Sequence, residues 1–240
     1  MTVIERIRAN SVFCAQGQCI VKVRKNSKKG YGAAGRQTTN IRRFIQSTDT
    51  MTEILVNPKS TALVVIDLQK GIASQPTQPH AAKDVVKNAS LLARAFRERG
   101  MPVFLVHVVT SPESMLRTKS DEQFVRPDPL PSGWSDLVPE LDLHTTDIVI
   151  AKRQWGAFYG TELELQLRRR GLDTIVLCGI STNFGVESTA RFAYEFGFQQ
   201  IFAEDAMASG SAEGHAATTK LIFPRMGRVR STRQILDALG

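Results

Sequence analysis

Residues 174–198, TIVLCGISTNFGVESTARFAYEFGF, constrain the fold more than any other part of the chain. Residues 174–178 form a short apolar run rich in β-branched side chains, the pattern of a strand covered on both faces in a parallel sheet. Gly179 ends the run, and Asn183 is placed to cap a following helix by accepting from its free N–H groups. Val186, Ala190 and Ala193 then recur on one helical face. A strand that hands its carboxyl end to a helix N-terminus makes an anion-friendly corner, the usual site position in open α/β sheets. Gly185 sits in that corner.

The same alternation runs through the rest of the chain from Thr61 onward. Strands are expected at 61–67, 103–109, 147–151, 174–178, 198–203 and 225–229. Helices are expected at 81–99, 161–170, 211–223 and 231–239, besides the one after Asn183. Thr161 and Glu164 read as a capping box, and Ser231 as the cap of the last helix. On the helix at 81–99, Val85, Val86, Ala89, Leu92, Ala93 and Phe96 form the apolar stripe, and Gly100 and Pro102 stop it. Together these elements predict an α/β fold: three layers, α/β/α, with a six-stranded, mostly parallel sheet and helices on both faces. Residues 110–147 form a long connection with Pro112, Pro127, Pro129, Pro131 and Pro139, of the kind used as a lid or a subunit contact.

The formal charge of +8 resembles that of a nucleic-acid binder until it is located. Residues 1–50 hold ten Lys/Arg against Glu5 and Asp49, so they carry all of it, and the 21 basic and 21 acidic residues that remain cancel. The domain at 51–240 therefore gives no reason to expect nucleic acid. Residues 1–50 read as a basic, disordered extension, with a targeting leader or an electrostatic arm as alternatives, and Met51 as a possible natural start. No apolar run approaches the ~20 residues that cross a bilayer, so no membrane partner is expected. Three cysteines, an odd number, favour a reducing compartment, and the cytoplasm is the default. Cys14 and Cys19 alone are weak evidence for a metal, and Cys178, inside a strand, reads as a core thiol.

Polar groups reach the carboxyl ends of the strands at Asp67, Lys152 and residues 181–185. A carboxylate closing an apolar strand near an ammonium is a candidate acid or base, and equally an ordinary ion pair at the sheet rim. No glycine pattern builds a dinucleotide or phosphate loop, so no cofactor is expected.

The strings VVIDLQ (64–69), KRQWGAFYGTELE (152–164) and CGISTNFGVESTAR (178–191) resemble, in order, the three signatures of the isochorismatase-like hydrolase superfamily, which includes nicotinamidases and carbamoyl hydrolases. The resemblance covers about 61–229 and none of 1–50. It implies a hydrolase with Asp67 and Lys152 as catalytic acid/base and partner, working on a small-molecule substrate in a homodimer or homotetramer. At the family's cysteine nucleophile this chain has Gly185, which excludes a covalent thioester there. Members with glycine at that place cleave a vinyl ether, and by resemblance Asp67 would protonate the enol carbon before water adds. The resemblance also implies an aromatic wall at Trp155 and Phe158 and a strained, often cis, peptide at Ile180–Ser181. By position Gln69 could bind substrate and Arg153 could grip a carboxylate. Ser181, Thr182 and Asn183 could line the pocket or merely cap the helix. A hydroxyl nucleophile at Ser181 or Thr182, a water-based amide or ester hydrolase, and a non-catalytic binder remain alternatives. Neither hydroxyl has a histidine base at evident spacing. Metal-dependent members carry paired histidines just after the first strand; this chain has Leu68, Gln69 and Lys70 there and His80 further on, so no metal is expected. His107, within a strand, reads as structural.

Overall fold

A computed structural model describes residues 12–15, 18–21, 56–110, 119–122, 127 and 129–240. Most of the expected N-terminal extension lies outside the described residues, as does Pro112 of the long connection. The chain divides after Met51 into two compact units. In the first, β1 (Val12–Ala15) and β2 (Gln18–Val21) pair antiparallel with Cys14 opposite Cys19, a hairpin where no strand periodicity was visible.

The second part holds β3 (Thr61–Ile66), β4 (Val103–Val108), β5 (Ile148–Lys152), β6 (Thr174–Ile180), β7 (Gln199–Ala208) and β8 (Arg228–Arg230). They form one sheet in the order β5-β4-β3-β6-β7-β8 with every neighbouring pair parallel. The chain starts mid-sheet at β3, builds to one edge, then returns beside β3 as β6 and builds to the other. The β3/β6 boundary is thus the switch point, where departing connections leave a crevice at the carboxyl ends.

Strand alternation splits the core in two. After the single-turn helix α1 (Lys70–Ala73) come the longer helices: Leu63, Val65, Leu105, Val176 and Ile201 face α2 (Ala82–Glu98) and α6 (Thr232–Leu239). Val64, Ile66, Val106, Leu177 and Phe202 face α3 (Leu163–Arg169) and α4 (Glu187–Glu195). Each large side chain so buried contributes ~1.5–3 kcal/mol of transfer free energy. The stripe expected on α2 is the buried set, and Gly100, at φ +66°, makes the left-handed stop. Ser231 and Gln234 form the box that starts α6.

Four local expectations change. The Thr161–Glu164 box does not form: α3 begins at Leu163, and Thr161 Oγ1 accepts the Leu163 N–H (3.1 Å) while donating to the Ala157 carbonyl. Asn183 does not cap α4, because a π-helical turn at Thr182–Val186 runs straight into that helix and supplies its first carbonyl acceptors. The helix expected at 211–223 is regular only over α5 (Ala212–Ala217) before a π turn at Thr218–Ile222. Finally, β6 and β7 run past their expected ends. Leu177 pairs with Phe202 but Gly179 with Met207, so residues 203–206 bow out of the ladder with β6, while Ala203 still pairs with Arg230 of β8.

Gly179 lies inside β6 rather than ending it, and its backbone passes close to β3. Its φ is +124°, and a β-carbon there would stand 2.0 Å from the Ile66 carbonyl oxygen. Gly179→Ala is expected to destabilise the domain by at least ~2 kcal/mol through this backbone clash and the positive φ. Thermal unfolding should then show a Tm lowered by ~4 °C or more; an unchanged Tm would refute the tight β3–β6 approach.

Candidate active site

Asp67 is the residue at which β3 stops. Its φ of +55° is left-handed, a conformation that Asp adopts more readily than a β-branched residue. Its N–H donates to the Val106 carbonyl (2.8 Å), which anchors the turn at the switch point. Lys152 ends β5, two strands away, and places Nζ 2.8 Å from Asp67 Oδ2. Nζ also donates to the Trp155 carbonyl at 2.5 Å. Asp67 is 4% exposed and Lys152 1%, so the pair is held away from bulk water.

Gly185 completes the corner from the β6 side. A β-carbon there would lie 3.0 Å from Asp67 Oδ2, 3.1 Å from Lys152 Nζ and 3.2 Å from Ile66 Cγ2. The π turn sets this placement: the Phe184 and Val186 N–H groups both reach the Ser181 carbonyl (3.2 Å each). The Gly185 carbonyl accepts from Thr189 Oγ1 (2.7 Å), and that oxygen accepts the Ala157 N–H (3.0 Å). Thr189 therefore ties the glycine to the loop after β5. Neither this tie nor the π turn was legible in the sequence. The Ile180–Ser181 peptide is cis, as the resemblance implied. Sequence and structure agree in bringing Asp67, Lys152 and Gly185 together.

Other expected pocket residues are placed differently. Gln69 is fully buried, and its amide is committed to backbone: Oε1 accepts the Val108 N–H (2.7 Å), and Nε2 donates to the Val108 and Trp134 carbonyls (3.3 and 3.2 Å). It clamps β4 and the incoming long connection instead of reaching a ligand. Phe158 packs in the core against Phe196 and Phe198, so it is no part of a wall. Trp155 is 61% exposed and meets Phe184 edge to face at 5.0 Å. Phe184, which sequence reading passed over, is thus the partner ring next to Gly185. Arg153 is exposed, Ser181 is half-buried, and Ile180 is buried behind the turn. Asn183 Oδ1 accepts from Ser209 Oγ, tying the turn to the end of β7. His107 Nδ1 meets the Ser135 carbonyl at 2.8 Å, consistent with a structural role.

Thr182 does have a histidine, from 33 residues away: its Oγ1 lies 2.9 Å from His215 Nδ1. The threonine is 0% exposed, so its hydroxyl positions the turn and is not open to attack on a substrate. His215 Nε2 continues to Glu204 Oε1 (2.9 Å), and His80 Nε2 meets the same oxygen at 3.0 Å. The His215 hydrogen bond most strongly, then that of His80, holds the Glu204 pKa at about 2 against the opposing effect of burial. No spacing signal announces this cluster, because the bow in β7, the loop before α2 and the helix α5 assemble it. Cys178 is fully buried, and burial, reinforced by the Asp205 charge, pushes its thiol pKa far up, so it is an inert core residue. A cavity of about 560 Å³ along α2, lined in part by Lys83, Lys87, Arg94 and Pro139, touches none of Asp67, Lys152 and Gly185.

Residues 61–234 match the isochorismatase domain. The chain is 54% identical over 185 residues to the isochorismatase family protein YecD of Escherichia coli O157:H7, covering 77% of this chain and 98% of that one. It is 30% identical over 169 residues to nicotinamidase 3 of Arabidopsis thaliana, covering 68% and 80% respectively. A solved isochorismatase family structure from Burkholderia thailandensis is 43% identical, with a TM-score of 0.73, covering 77% of this chain and 97% of that one. With the domain matched over nearly its whole length, the chain belongs to the isochorismatase family of hydrolases.

Proposed function

We propose that this hydrolase acts on a small carboxylated metabolite by the general acid/base chemistry of Asp67, without a covalent intermediate and without a cofactor. The observation that carries the reading is the bare backbone at Gly185, facing Asp67 Oδ2 and Lys152 Nζ at a distance where a side chain would crowd both. Glycine offers no nucleophile, and with no side chain between them Asp67 and Lys152 are left to act on substrate and water. A C–O bond of the vinyl-ether type fits these groups. Asp67 gives its proton to the enol carbon, water adds to the resulting oxocarbenium ion, and the proton lost by that water returns to Asp67. The hemiketal so formed then collapses with release of the alcohol. A substrate carboxylate nearby favours the protonated acid at the start, and Lys152 orients that carboxylate or the water. Trp155 with Phe184 forms the outer wall, and Arg153 and Ser181 hold the substrate's polar end.

An amide or ester hydrolase built on Thr182 draws support from its contact with His215, but its buried hydroxyl favours the acid/base reading. The enzyme is further proposed to be a cytoplasmic homo-oligomer. The odd number of cysteines supports the compartment. Exposed aromatic side chains at Trp155, Phe184, Phe192 and Phe196 support the assembly.

Three measurements test this. Among isochorismate, nicotinamide and carbamoylated metabolites, the wild type should turn over the vinyl ether, and Asp67→Asn should lower kcat by ~10²–10⁴-fold. Full activity in a folded Asp67→Asn protein would end the mechanism. Gly185→Cys should abolish that turnover by crowding Asp67 and Lys152; retained turnover in a folded Gly185→Cys protein would refute the close approach. Sedimentation should give at least twice the mass of one chain, and a monomer would remove the assembly from the reading.

A further inference from the structure

Outside the proposed catalytic corner, one cluster brings together side chains from three distant segments. His80 precedes α2, Glu204 lies in the bow of β7, and His215 lies in α5. One ligand atom from each falls within 4.8 Å of the others. The geometry points to a binding site for a divalent transition-metal ion of the zinc class at His80, Glu204 and His215, with a fourth position open to water.

The donor set is the first argument. Two imidazoles and one carboxylate suit zinc and similar borderline ions, and three protein ligands with an open position are typical of sites that keep a water. Both histidines present Nε2 to the same oxygen, Glu204 Oε1, at 3.0 and 2.9 Å, and their rings stand edge to face at 5.7 Å. Ligands around a tetrahedral ion at ~2.0–2.2 Å lie ~3.3 Å apart. The two Nε2–Oε1 separations therefore need to widen by only a few tenths of an ångström, which the half-exposed His80 and Glu204 side chains allow.

The second argument is how firmly each ligand is held. His215 is buried, and Thr182 Oγ1 stands 2.9 Å behind it at Nδ1, the position from which a partner orients a metal-binding imidazole. His80 sits on a pinned loop: Thr77 Oγ1 donates to its carbonyl (2.8 Å), and Gln78 pairs in both directions with Ser209 (2.7 and 2.8 Å). Glu204 is turned out of the ladder because residues 203–206 bow away from β6. Without a metal, each Nε2 donates to Oε1, a carboxylate oxygen that can only accept. On binding, each ring carries its hydrogen on Nδ1 instead, and for His215 the Thr182 hydroxyl turns to accept it. Through Thr182 the site abuts the π turn that carries Gly185. It does not depend on which reaction that turn supports.

Chelator-treated full-length protein titrated with Zn²⁺ in a calorimeter should show one saturable site. Its Co²⁺ adduct should show visible d–d bands without a sulfur-to-metal charge-transfer band, which separates this site from Cys14 and Cys19. His80→Ala and Glu204→Gln, each checked for native circular dichroism, should remove the saturable heat and the bands. Thr182→Val should weaken binding by ~10–100-fold while keeping the stoichiometry. The proposal is overturned by the absence of a saturable Zn²⁺ heat in the wild type, by binding that survives both ligand variants, or by a sulfur band in the Co²⁺ spectrum. None of these readouts requires turnover, so they stand or fall apart from the assignment of Asp67.

Discussion

A carboxylate and an ammonium 2.8 Å apart, both removed from water, set the terms for everything around them. Either ion left alone would cost several kcal/mol of lost hydration, so the ends of β3 and β5 must arrive together. The Trp155 carbonyl takes a further ammonium hydrogen and thereby draws in the loop that follows β5. Stability alone does not call for such a pair, since well-packed apolar replacements are often neutral or better by ~1–4 kcal/mol. Its presence at the carboxyl rim of the sheet is what the proposed acid/base role of Asp67 calls for.

Topology then decides what can face that pair. Because β3 and β6 are neighbours with connections leaving in opposite directions, the residues after β6 are the ones delivered to the Asp67 side of the crevice. The extra backbone of the π turn brings Gly185, rather than a neighbour, within reach of both ions. Such one-turn π segments recur at functional sites because they re-aim a few backbone groups without ending the helix. Thr189, bonded both to the Gly185 carbonyl and to the Ala157 N–H, makes the glycine and the Lys152 loop parts of one frame.

The six-stranded sheet, the stripe of α2 and the convergence of Asp67, Lys152 and Gly185 were readable because they rest on local signals: apolar runs, helical spacing, and carboxyl-end residues in known strings. The failures share a different origin. Gln69 looked like a ligand residue because its neighbour Asp67 faces the crevice, yet the packing of the long connection against β4 claimed its amide. Phe158 and Trp155 are three residues apart and equally aromatic, and only tertiary placement sends one to the core and the other to the surface. The His80–Glu204–His215 cluster depends on a register shift between β6 and β7, which no pattern in a single strand records.

That same bow gives the end of the chain an influence over the middle. Asp205, next to Glu204, points the other way and accepts from the Thr232 N–H and hydroxyl (2.6 and 2.7 Å), while its carbonyl accepts from Asn88 (2.7 Å). Two adjacent carboxylates thus fasten opposite things: one gathers the histidines, the other moors α6. Losing the Thr232 hydroxyl at the start of that helix would loosen the second anchor, one residue from the first. The first turn of α6 is in this sense a distant foundation for the rim where Thr182 sits.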